Sequence, residues 1–341
     1  MIILLSSGVI SLLLVISRKA DQKIRVKVRE NPNFSEEKTG ERTLNVVRMT
    51  ECAVATFFRC SAEQWISILR MVTWITRNMK IGILSDLHLF NKITNVERVL
   101  SKLRDLDLLL IAGDIADRAE EKQYDILLKL LTDRFNSVPI YCVSGNHDNP
   151  ARDDANYRMF ESKINNEYPS IIDESGAFYK YIDEKLDLIG LNPVYHQRQF
   201  FFPNKGQQLA FLQKQLSTSS SKYHIVMCHP PLIAHNPQRT ADEASYIVGE
   251  QDKRLQRIIN DKRNVFFISG HTHVSPTVEF DETHNNLYIN DGSICPTTVK
   301  DHSGEVQQGN VTILNISENE LSVIVKGIHT EKVFIEKYME I

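Results

Sequence analysis

Cysteine is scarce in this chain of 341 residues, and its spacing excludes the sites that cysteine usually builds. There are five cysteines, an odd number, and no two of them form a Cys-x-x-Cys pair. They are Cys52, Cys60, Cys142, Cys228 and Cys295. This pattern fits neither a zinc ribbon nor a disulfide framework. We therefore expect reduced thiols and a cytoplasmic location.

The chain also lacks the positive charge of a protein whose whole surface binds nucleic acid. It has 40 Lys and Arg against 43 Asp and Glu, which gives a net charge of −3. Neutralising many phosphates requires a clear cationic excess, so there is no strong sign of a nucleic-acid partner, although a local basic groove stays open. Repeats of fixed period and low-complexity tracts are absent, which argues against fibrous and repeat architectures.

The first 17 residues, which begin at Met1 and end at Ser17, are almost wholly apolar. They lack the basic region and the small-residue cleavage site of a removable secretory signal. As a helix with ~1.5 Å rise per residue, they would just cross a ~30 Å hydrocarbon layer. The basic residues that follow would then stay inside, leaving the rest of the chain cytoplasmic. We expect membrane contact only if this segment is a real anchor.

At Met79 the character of the sequence changes. Residues 1–78 hold 12 Lys and Arg against 7 Asp and Glu, whereas residues 79–341 hold 28 against 36. Residues 30–50 are polar and predict a linker, and residues 53–76 predict an amphipathic helix. We expect residues 1–78 to be an amino-terminal extension, either an anchor with a linker or a mis-assigned start. Residues 79–341 are expected to form one domain.

Downstream of Met79, short apolar runs alternate with helical patterns. Apolar runs of strand length lie at residues 81–85, 108–112, 140–144, 186–191, 224–228, 265–269 and 287–290. Apolar residues recur at intervals of three and four over residues 96–103, 124–135 and 207–216, as in helices packed on a sheet. The alternation predicts strands between helical layers. Strand-like sequence returns after residue 310.

Acids, histidines and glycines follow five of the predicted strands. These groups are Asp86 and His88, then Gly113-Asp114, Gly145-Asn146-His147-Asp148, His229, and Gly270-His271-Thr272-His273. Ligands bind at the carboxyl ends of strands in open layered sheets, so the five loops should converge on one edge. Any single group has an ordinary explanation as a helix cap, a turn or a chance pair. Together they predict a metal site, because buried acids and imidazoles are costly unless they are paired or bound to metal.

The residue types indicate which metals would suit such a site. Carboxylate, amide and imidazole groups form a mixed set of hard and borderline ligands without thiolate. This set favours Mn²⁺, Fe or Zn²⁺ over soft metals or Mg²⁺ alone. The glycines beside the ligands let the backbone turn sharply where a side chain would crowd the cavity.

Over residues 79–295 the five motifs resemble the signature of the calcineurin-like metallophosphoesterases, with every ligand position filled. The resemblance implies an α/β fold, namely a four-layer α/β/β/α sandwich with a dinuclear metal site at the carboxyl ends of the strands. It implies two sets of ligands that share one residue. These are Asp86, His88 and His273 on one ion, Asn146, His229 and His271 on the other, and Asp114 as the bridge.

The same resemblance implies a mechanism. Two ions ~3.5–4 Å apart acidify a bridging water, so the nucleophile is a hydroxide and no Ser, Cys or Thr is required for attack. His147 is left free to protonate the leaving oxygen. Asp148 would orient His147 or a neighbouring loop. We interpret Ser85 and Thr272 as supporting or turn residues.

The expected reaction is metal-dependent hydrolysis of a small-molecule phosphodiester, with nucleotides among the candidates. The motifs and length resemble the cyclic-nucleotide phosphodiesterase branch, but they also fit nucleases and nucleotide-sugar pyrophosphatases. Phosphomonoesters and nucleotide pyrophosphates remain alternative substrates, because pocket shape decides among them. A non-catalytic scaffold is the alternative from another class. The complete set of ligands and His147 argue against it.

Overall fold

The computed structural model describes most of the chain after residue 78 and the backbone of four strands before it. The described residues are 2–7, 10–15, 24–30, 43–46, 78–89, 93–135, 137–150, 153–196, 199–237, 252–273, 276–294, 309–328 and 332–341. By its internal contacts the chain divides into two units, Met1–Ile75 and Thr76–Ile341.

The first unit contains a four-stranded antiparallel sheet whose strands pair in chain order. The strands are β1 (Ile2–Ser7), β2 (Ile10–Val15), β3 (Ile24–Glu30) and β4 (Thr43–Val46). The apolar first 17 residues contain β1 and β2, and β4 lies inside the predicted linker. Periodicity alone does not separate helix from strand in short apolar runs. That residues 1–78 are an extension, either an anchor with a linker or a mis-assigned start, stays a prediction.

The predicted amphipathic helix over residues 53–76 lies outside the described residues. Among the helices in the described ranges, none combines the length and the apolar character needed to cross a membrane. Cys142 and Cys228 are both buried, Cys228 completely. The other three cysteines lie outside the described residues.

The second unit alternates strands with helices, as the apolar pattern predicts. Its described strands are β5 (Met79–Leu84), β6 (Leu108–Ala112), β7 (Ile140–Val143), β8 (Ile171–Ile172), β9 (Phe178–Tyr181), β10 (Leu186–Leu191), β11 (Val194–His196), β12 (Gln199–Phe201), β13 (Tyr223–Cys228), β14 (Val265–Ser269), β15 (Thr277–Asp281), β16 (Asn286–Asn290), β17 (Asn310–Ile316), β18 (Glu320–Gly327) and β19 (Val333–Glu340). Its described helices are α1 (Ile93–Lys102), α2 (Glu121–Arg134), α3 (Ala155–Glu167), α4 (Pro203–Thr218) and α5 (Asp252–Asn260), with a short 3₁₀ helix at Ile233–His235.

Two large sheets organise these strands. One has six strands in the order β19-β18-β17-β5-β6-β7, and the other has seven in the order β15-β16-β14-β13-β10-β9-β8. Within the first, β5, β6 and β7 run parallel. Within the second, β10, β13, β14 and β16 run parallel. Each sheet therefore has a set of parallel strands whose carboxyl ends point to one edge, while β11 and β12 form a separate hairpin.

Alternating residues on the strands separate three apolar cores, because successive strand side chains point to opposite faces. Ile83 on β5 and Leu188 on β10 belong to the core between the two sheets. The next residue on β5, Leu84, packs instead with Val96 of α1 in a core beneath α1, α2 and α3. A third core lies between the seven-stranded sheet and helices α4 and α5. The predicted α/β/β/α sandwich is confirmed.

The predicted elements agree closely with the observed ones. All seven predicted strands are confirmed, and three of them, residues 108–112, 186–191 and 265–269, coincide with β6, β10 and β14. Helix α4 becomes regular only after Gly206, because Asn204, Lys205 and Gly206 have φ values of 53°, 58° and 81°. The apolar period that predicts this helix starts at residue 207, just after those left-handed residues.

Candidate metal centre

The predicted ligand loops lie at the carboxyl ends of parallel strands in both sheets. His229 follows β13 of the seven-stranded sheet, and its Nε2 lies 3.3 Å from Oδ2 of Asp114, which follows β6 of the six-stranded sheet. His273 follows β14, and its Nε2 lies 2.9 Å from Oδ1 of Asp86 after β5. The five loops therefore converge on one edge, as the positions of the motifs predict, and both sheets contribute to it.

Two groups of metal-binding side chains share Asp114. In the first group, one donor atom each from Asp86, His88, Asp114 and His273 lies within 4.8 Å of the others. The second group consists of Asp114, His229 and His271, with donor atoms equally close together. The structure thus brings six of the seven predicted ligand side chains together in two groups.

Asn146 adds a further oxygen to this region. The backbone N–H of the next residue, His147, donates to Oδ1 of Asp114 at 2.8 Å, so Asn146 is held beside the shared carboxylate. The Oδ1 atom of Asn146 is buried and has no hydrogen-bond partner among the described residues. An unsatisfied buried carbonyl oxygen is costly, and a bound cation would satisfy it. The residues present therefore fit a metal centre.

Five of the predicted ligands have left-handed backbone conformations. Their φ values are 52° at Asp86, 42° at His88, 49° at Asp114, 72° at His271 and 51° at His273. Such conformations are uncommon for residues other than glycine, and they cluster at functional sites where the surrounding structure imposes them. The loops are therefore shaped by the demands of the site rather than by local preference.

Two glycines provide the space that the ligands occupy. A Cβ atom on Gly113, whose φ is 91°, would lie 2.5 Å from Nδ1 of His229. A Cβ atom on Gly270 would lie 2.5 Å from Oδ2 of Asp86. Both distances are far below van der Waals contact, so any larger residue would displace a predicted ligand.

The two acids of the centre, Asp86 and Asp114, remain ionised although they are buried. Burial raises the pKa of a carboxyl group, but the adjacent His273 and His229 hold the pKa of Asp86 below its usual value. Burial also raises the pKa of Asp114, but His229 and His88 outweigh this effect and hold that pKa below its usual value. Two buried carboxylates this close together require compensating positive charge, which a bound cation would supply.

The imidazoles respond to this charge in opposite directions. Burial disfavours the protonated form of His229, yet Asp114 and Asp86 raise its pKa to about 9. At His271, burial and the neighbouring His229 together lower the pKa to about 4. The pKa of His88 is also lowered, chiefly by burial. Burial also acts against protonation of His273, but Asp86 raises its pKa above the usual value. Positive charge in the cluster is therefore concentrated on His229 and His273 when no cation is bound.

Polar contacts at Nδ1, a hydrogen bond in His229 and a contact with a carboxylate in His88, leave the other ring nitrogen of both histidines for metal binding. Nδ1 of His229 donates to the carbonyl oxygen of Ala112 at 2.7 Å, so its Nε2 faces Asp114. Nδ1 of His88 lies 3.5 Å from Oδ1 of Asp117. Such partners fix the tautomer and the orientation of a ligand imidazole.

Asp117 is the functional residue that the sequence reasoning missed. Its carbonyl oxygen accepts a hydrogen bond from Nδ1 of His147 at 2.8 Å, and its carboxylate lies 3.9 Å from the same nitrogen. The rings of His88 and His147 pack edge to face with centroids 4.5 Å apart. The available signal was its position three residues after Asp114, on the same loop. Asp117 thus links a predicted ligand to the predicted proton donor.

Asp148 lies beneath these loops. Its carboxylate accepts hydrogen bonds from the backbone N–H groups of Ile115, Ala116 and Gly145 at 2.9–3.0 Å. The hydroxyl of Tyr124 donates to it at 2.9 Å. Burial, assisted by Asp114, raises its pKa to about 6. Of the two roles expected for Asp148, these contacts favour the orientation of a neighbouring loop over the orientation of His147.

Comparisons with known proteins agree with this geometry. A family model described as calcineurin-like phosphoesterase matches residues 79–275. A probable cyclic nucleotide phosphodiesterase of Fibrobacter succinogenes is 24% identical over 221 residues, which are 60% of this chain and 76% of that protein. A probable glycerophosphodiester phosphodiesterase of Arcobacter nitrofigilis is 24% identical over 197 residues, or 57% of this chain and 66% of that protein.

A solved structure shares the fold. The crystal structure of a dimetal phosphatase from Danio rerio matches with a TM-score of 0.56 and covers 75% of this chain and 98% of its own. The two sequences are only 12% identical, so the likeness concerns the fold alone.

Proposed function

The chain belongs to the calcineurin-like phosphoesterases, and from this premise we propose that it hydrolyses phosphodiesters at a dinuclear metal centre. Hydrolysis of a phosphoric ester follows from the family and from the two relatives. The observation that carries the proposed centre is the pair of donor groups that share Asp114. The proposed ligands are Asp86, His88, Asp114, Asn146, His229, His271 and His273.

When bound there, two divalent ions would supply an acidified water and positive charge against the phosphoryl oxygens. The role of the chain itself is to hold the donor atoms that bind these ions. Asp114 contributes to both groups, and the unpartnered Oδ1 of Asn146 completes the second. The absence of thiolate among these ligands favours Mn²⁺, Fe or Zn²⁺.

His147 is the proposed proton donor. Its Nδ1 donates to the carbonyl oxygen of Asp117, so Nε2 is the nitrogen that can pass a proton to the leaving oxygen. The carboxylate of Asp117 also lies near this ring, 3.9 Å from Nδ1. The His147 side chain is 40% exposed, so a substrate can reach it.

We propose a diester rather than a monoester as the substrate because of the names of the two curated relatives. Both curated relatives are named as probable phosphodiesterases, one for cyclic nucleotides and one for glycerophosphodiesters. The substrates in their names differ, and what those substrates share is a phosphate esterified through two of its oxygens. We therefore propose a small-molecule phosphodiester as the substrate class of this chain.

The test is a paired assay on metal-free and metal-loaded protein. The protein is stripped with a chelator, Mn²⁺ or Mg²⁺ is returned, and release of p-nitrophenol is measured from bis-p-nitrophenyl phosphate and from the monoester. We expect no turnover without metal, better recovery with Mn²⁺ than with Mg²⁺, and faster cleavage of the diester. Full activity in metal-free protein overturns the centre. Faster cleavage of the monoester overturns the substrate class.

A further inference from the structure

Asn290 lies at the end of β16, beside the strand that leads into two of the predicted ligands. It pairs in register with Ser269, the last residue of β14. Its side chain is almost fully buried, with 2% exposure of the residue. Nδ2 of Asn290 donates to the carbonyl oxygen of Gly270 at 2.7 Å and to Oγ of Ser269 at 3.2 Å. The amide nitrogen therefore holds the chain just before His271.

The amide oxygen of Asn290 holds the chain just after His271. It accepts a hydrogen bond from Oγ1 of Thr272 at 2.9 Å and another from the backbone N–H of Gly292 at 3.3 Å. A carbonyl oxygen can only accept and an N–H can only donate, so the bonds to Gly270 and Gly292 fix which way the amide faces. One side chain thus clamps both flanks of a single predicted ligand.

The clamped loop needs such support. His271 and His273 have φ values of 72° and 51°, a conformation that a residue other than glycine keeps only when its surroundings impose it. The two imidazoles also belong to different donor groups, His271 to that of His229 and His273 to that of His88. The backbone between them therefore decides whether both groups can form at once.

We propose that Asn290 is a positioning residue of the metal centre, whose amide holds Gly270 and Thr272 so that His271 and His273 serve different ions. This inference rests on the ligand roles of the proposed function. The position requires a donor and an acceptor on one short side chain, which the amide of asparagine supplies and a carboxylate or a methyl group does not.

Asn286, at the other end of the same strand, provides a matched control. It is completely buried, its Oδ1 accepts from the backbone N–H of Val265 at 2.9 Å, and its Nδ2 donates to the carbonyl oxygen of Lys262 at 3.0 Å. It therefore clamps the chain before β14 as Asn290 clamps the chain after it. Only the Asn290 clamp lies beside predicted ligands.

The experiment compares Asn290→Ala with Asn286→Ala in the full chain. Bound Mn²⁺ is counted after equilibrium dialysis, the spin-coupled Mn²⁺ pair is followed by electron paramagnetic resonance, and the thermal midpoint is recorded. We expect similar midpoints, with Mn²⁺ affinity about 10–100-fold weaker and the coupled signal lost only in Asn290→Ala. Equal Mn²⁺ binding by the two variants overturns the inference.

A milder pair covers the case in which Asn290→Ala does not fold. Thr272→Val removes the hydroxyl that bonds to Asn290 and keeps the shape, whereas Thr272→Ser keeps the hydroxyl. We expect about two- to tenfold weaker Mn²⁺ binding in the valine variant and recovery in the serine variant. Unchanged binding in Thr272→Val overturns the inference. An unaltered chain that binds no Mn²⁺ pair overturns the proposed centre itself.

Discussion

The candidate centre has a buried side and an open side. The buried side consists of Asp114 and His229, whose side chains are 2% and 0% exposed. The open side consists of His88, His147 and His273, whose side chains are 10%, 40% and 38% exposed. A group that approaches from solvent therefore meets the open side first.

Each side contains a histidine whose pKa the buried acids raise. Burial acts against protonation of both, but Asp114 and Asp86 raise the pKa of His229 to about 9 on the buried side, and Asp86 raises the pKa of His273 on the open side. The two sides therefore differ in exposure rather than in charge: the buried side holds the shared acid, and the open side presents imidazoles to solvent. Substitutions on the two sides should therefore fail in different ways.

The largest effect is expected from Asp114→Ala on the buried side. This change removes the residue common to both donor groups, so both ions should be lost. A positioned proton donor contributes about 10²–10⁴-fold to turnover. The loss of turnover in Asp114→Ala should be larger than that. The measurement is metal content together with turnover of bis-p-nitrophenyl phosphate.

A second buried acid serves as the control for Asp114→Ala. Asp187 is completely buried at the start of β10, where Nδ1 of His224 lies 2.8 Å from its Oδ1. Asp187→Ala should reduce stability because it leaves His224 without this partner, but it should leave the metal content unchanged. Metal retained in Asp114→Ala, or lost equally in both variants, would contradict the role of the shared acid.

The next largest effect is expected from His147→Ala on the open side. Both donor groups stay complete, so metal content should remain near normal while turnover falls by about 10²–10⁴-fold. The loss should shrink when the leaving group is p-nitrophenolate, which departs without a proton. Turnover of one activated and one unactivated diester, with metal content, tests this.

The half-exposed His235 is the control for His147→Ala. Its Nδ1 lies 2.9 Å from Oε2 of Glu279 and its ring stacks on Tyr288, so we expect its replacement by alanine to leave turnover almost unchanged. If His147→Ala damages both substrates equally, or loses metal, His147 is not a proton donor.

A smaller and partly reversible effect is expected from Asn146→Ala. Loss of a residue that only supports a ligand weakens metal affinity by about 10–100-fold, and loss of Asn146 itself should weaken it by at least as much. Excess metal should restore part of the turnover. Asn149 is the control, because its Oδ1 is also buried without a hydrogen-bond partner among the described residues. Titration of both alanine variants with Mn²⁺ separates them. If they respond identically, the unpartnered oxygen of Asn146 is no guide to metal binding.

The smallest effect is expected from removing residues 1–78. A chain that begins at Met79 keeps every proposed ligand, so it should fold and turn over substrate like the full chain. Solubility, thermal midpoint and turnover of the two chains provide the test. A shortened chain that is insoluble or inactive would show that residues 1–78 belong to the domain.

Much of the fold is predictable because the central strands are buried on both faces. The strands β6 and β14 are continuous apolar runs with all five residues buried, and such runs stand out in the sequence. Helix α3 escaped prediction because only Tyr157, Phe160 and Ile164 among its 13 residues are buried. The two-residue β8 is exposed throughout and leaves no apolar pattern.

The ligands of the candidate site are predictable from the sequence, but the residues that support them are not. The histidines and acids stand directly after recognisable strands, so their convergence follows from the topology. Asp117 and Asn290 were not found, because their importance lies in contacts with other loops. Asn290 contacts Gly270 across 20 positions, and Asp117 contacts His147 across 30.

Local apolar patterns and motif spacing are properties of the chain, so they predict where the central strands lie along it, which residue types act as ligands, and that these residues follow the strands. Which side of the centre is buried, and which donors and acceptors pair, depends on how the two sheets pack. The backbone N–H of His271 donates to Oδ2 of Asp86 at 2.9 Å across 185 positions. Burial and pKa depend on such distant neighbours, and they exist only after the two sheets have packed together.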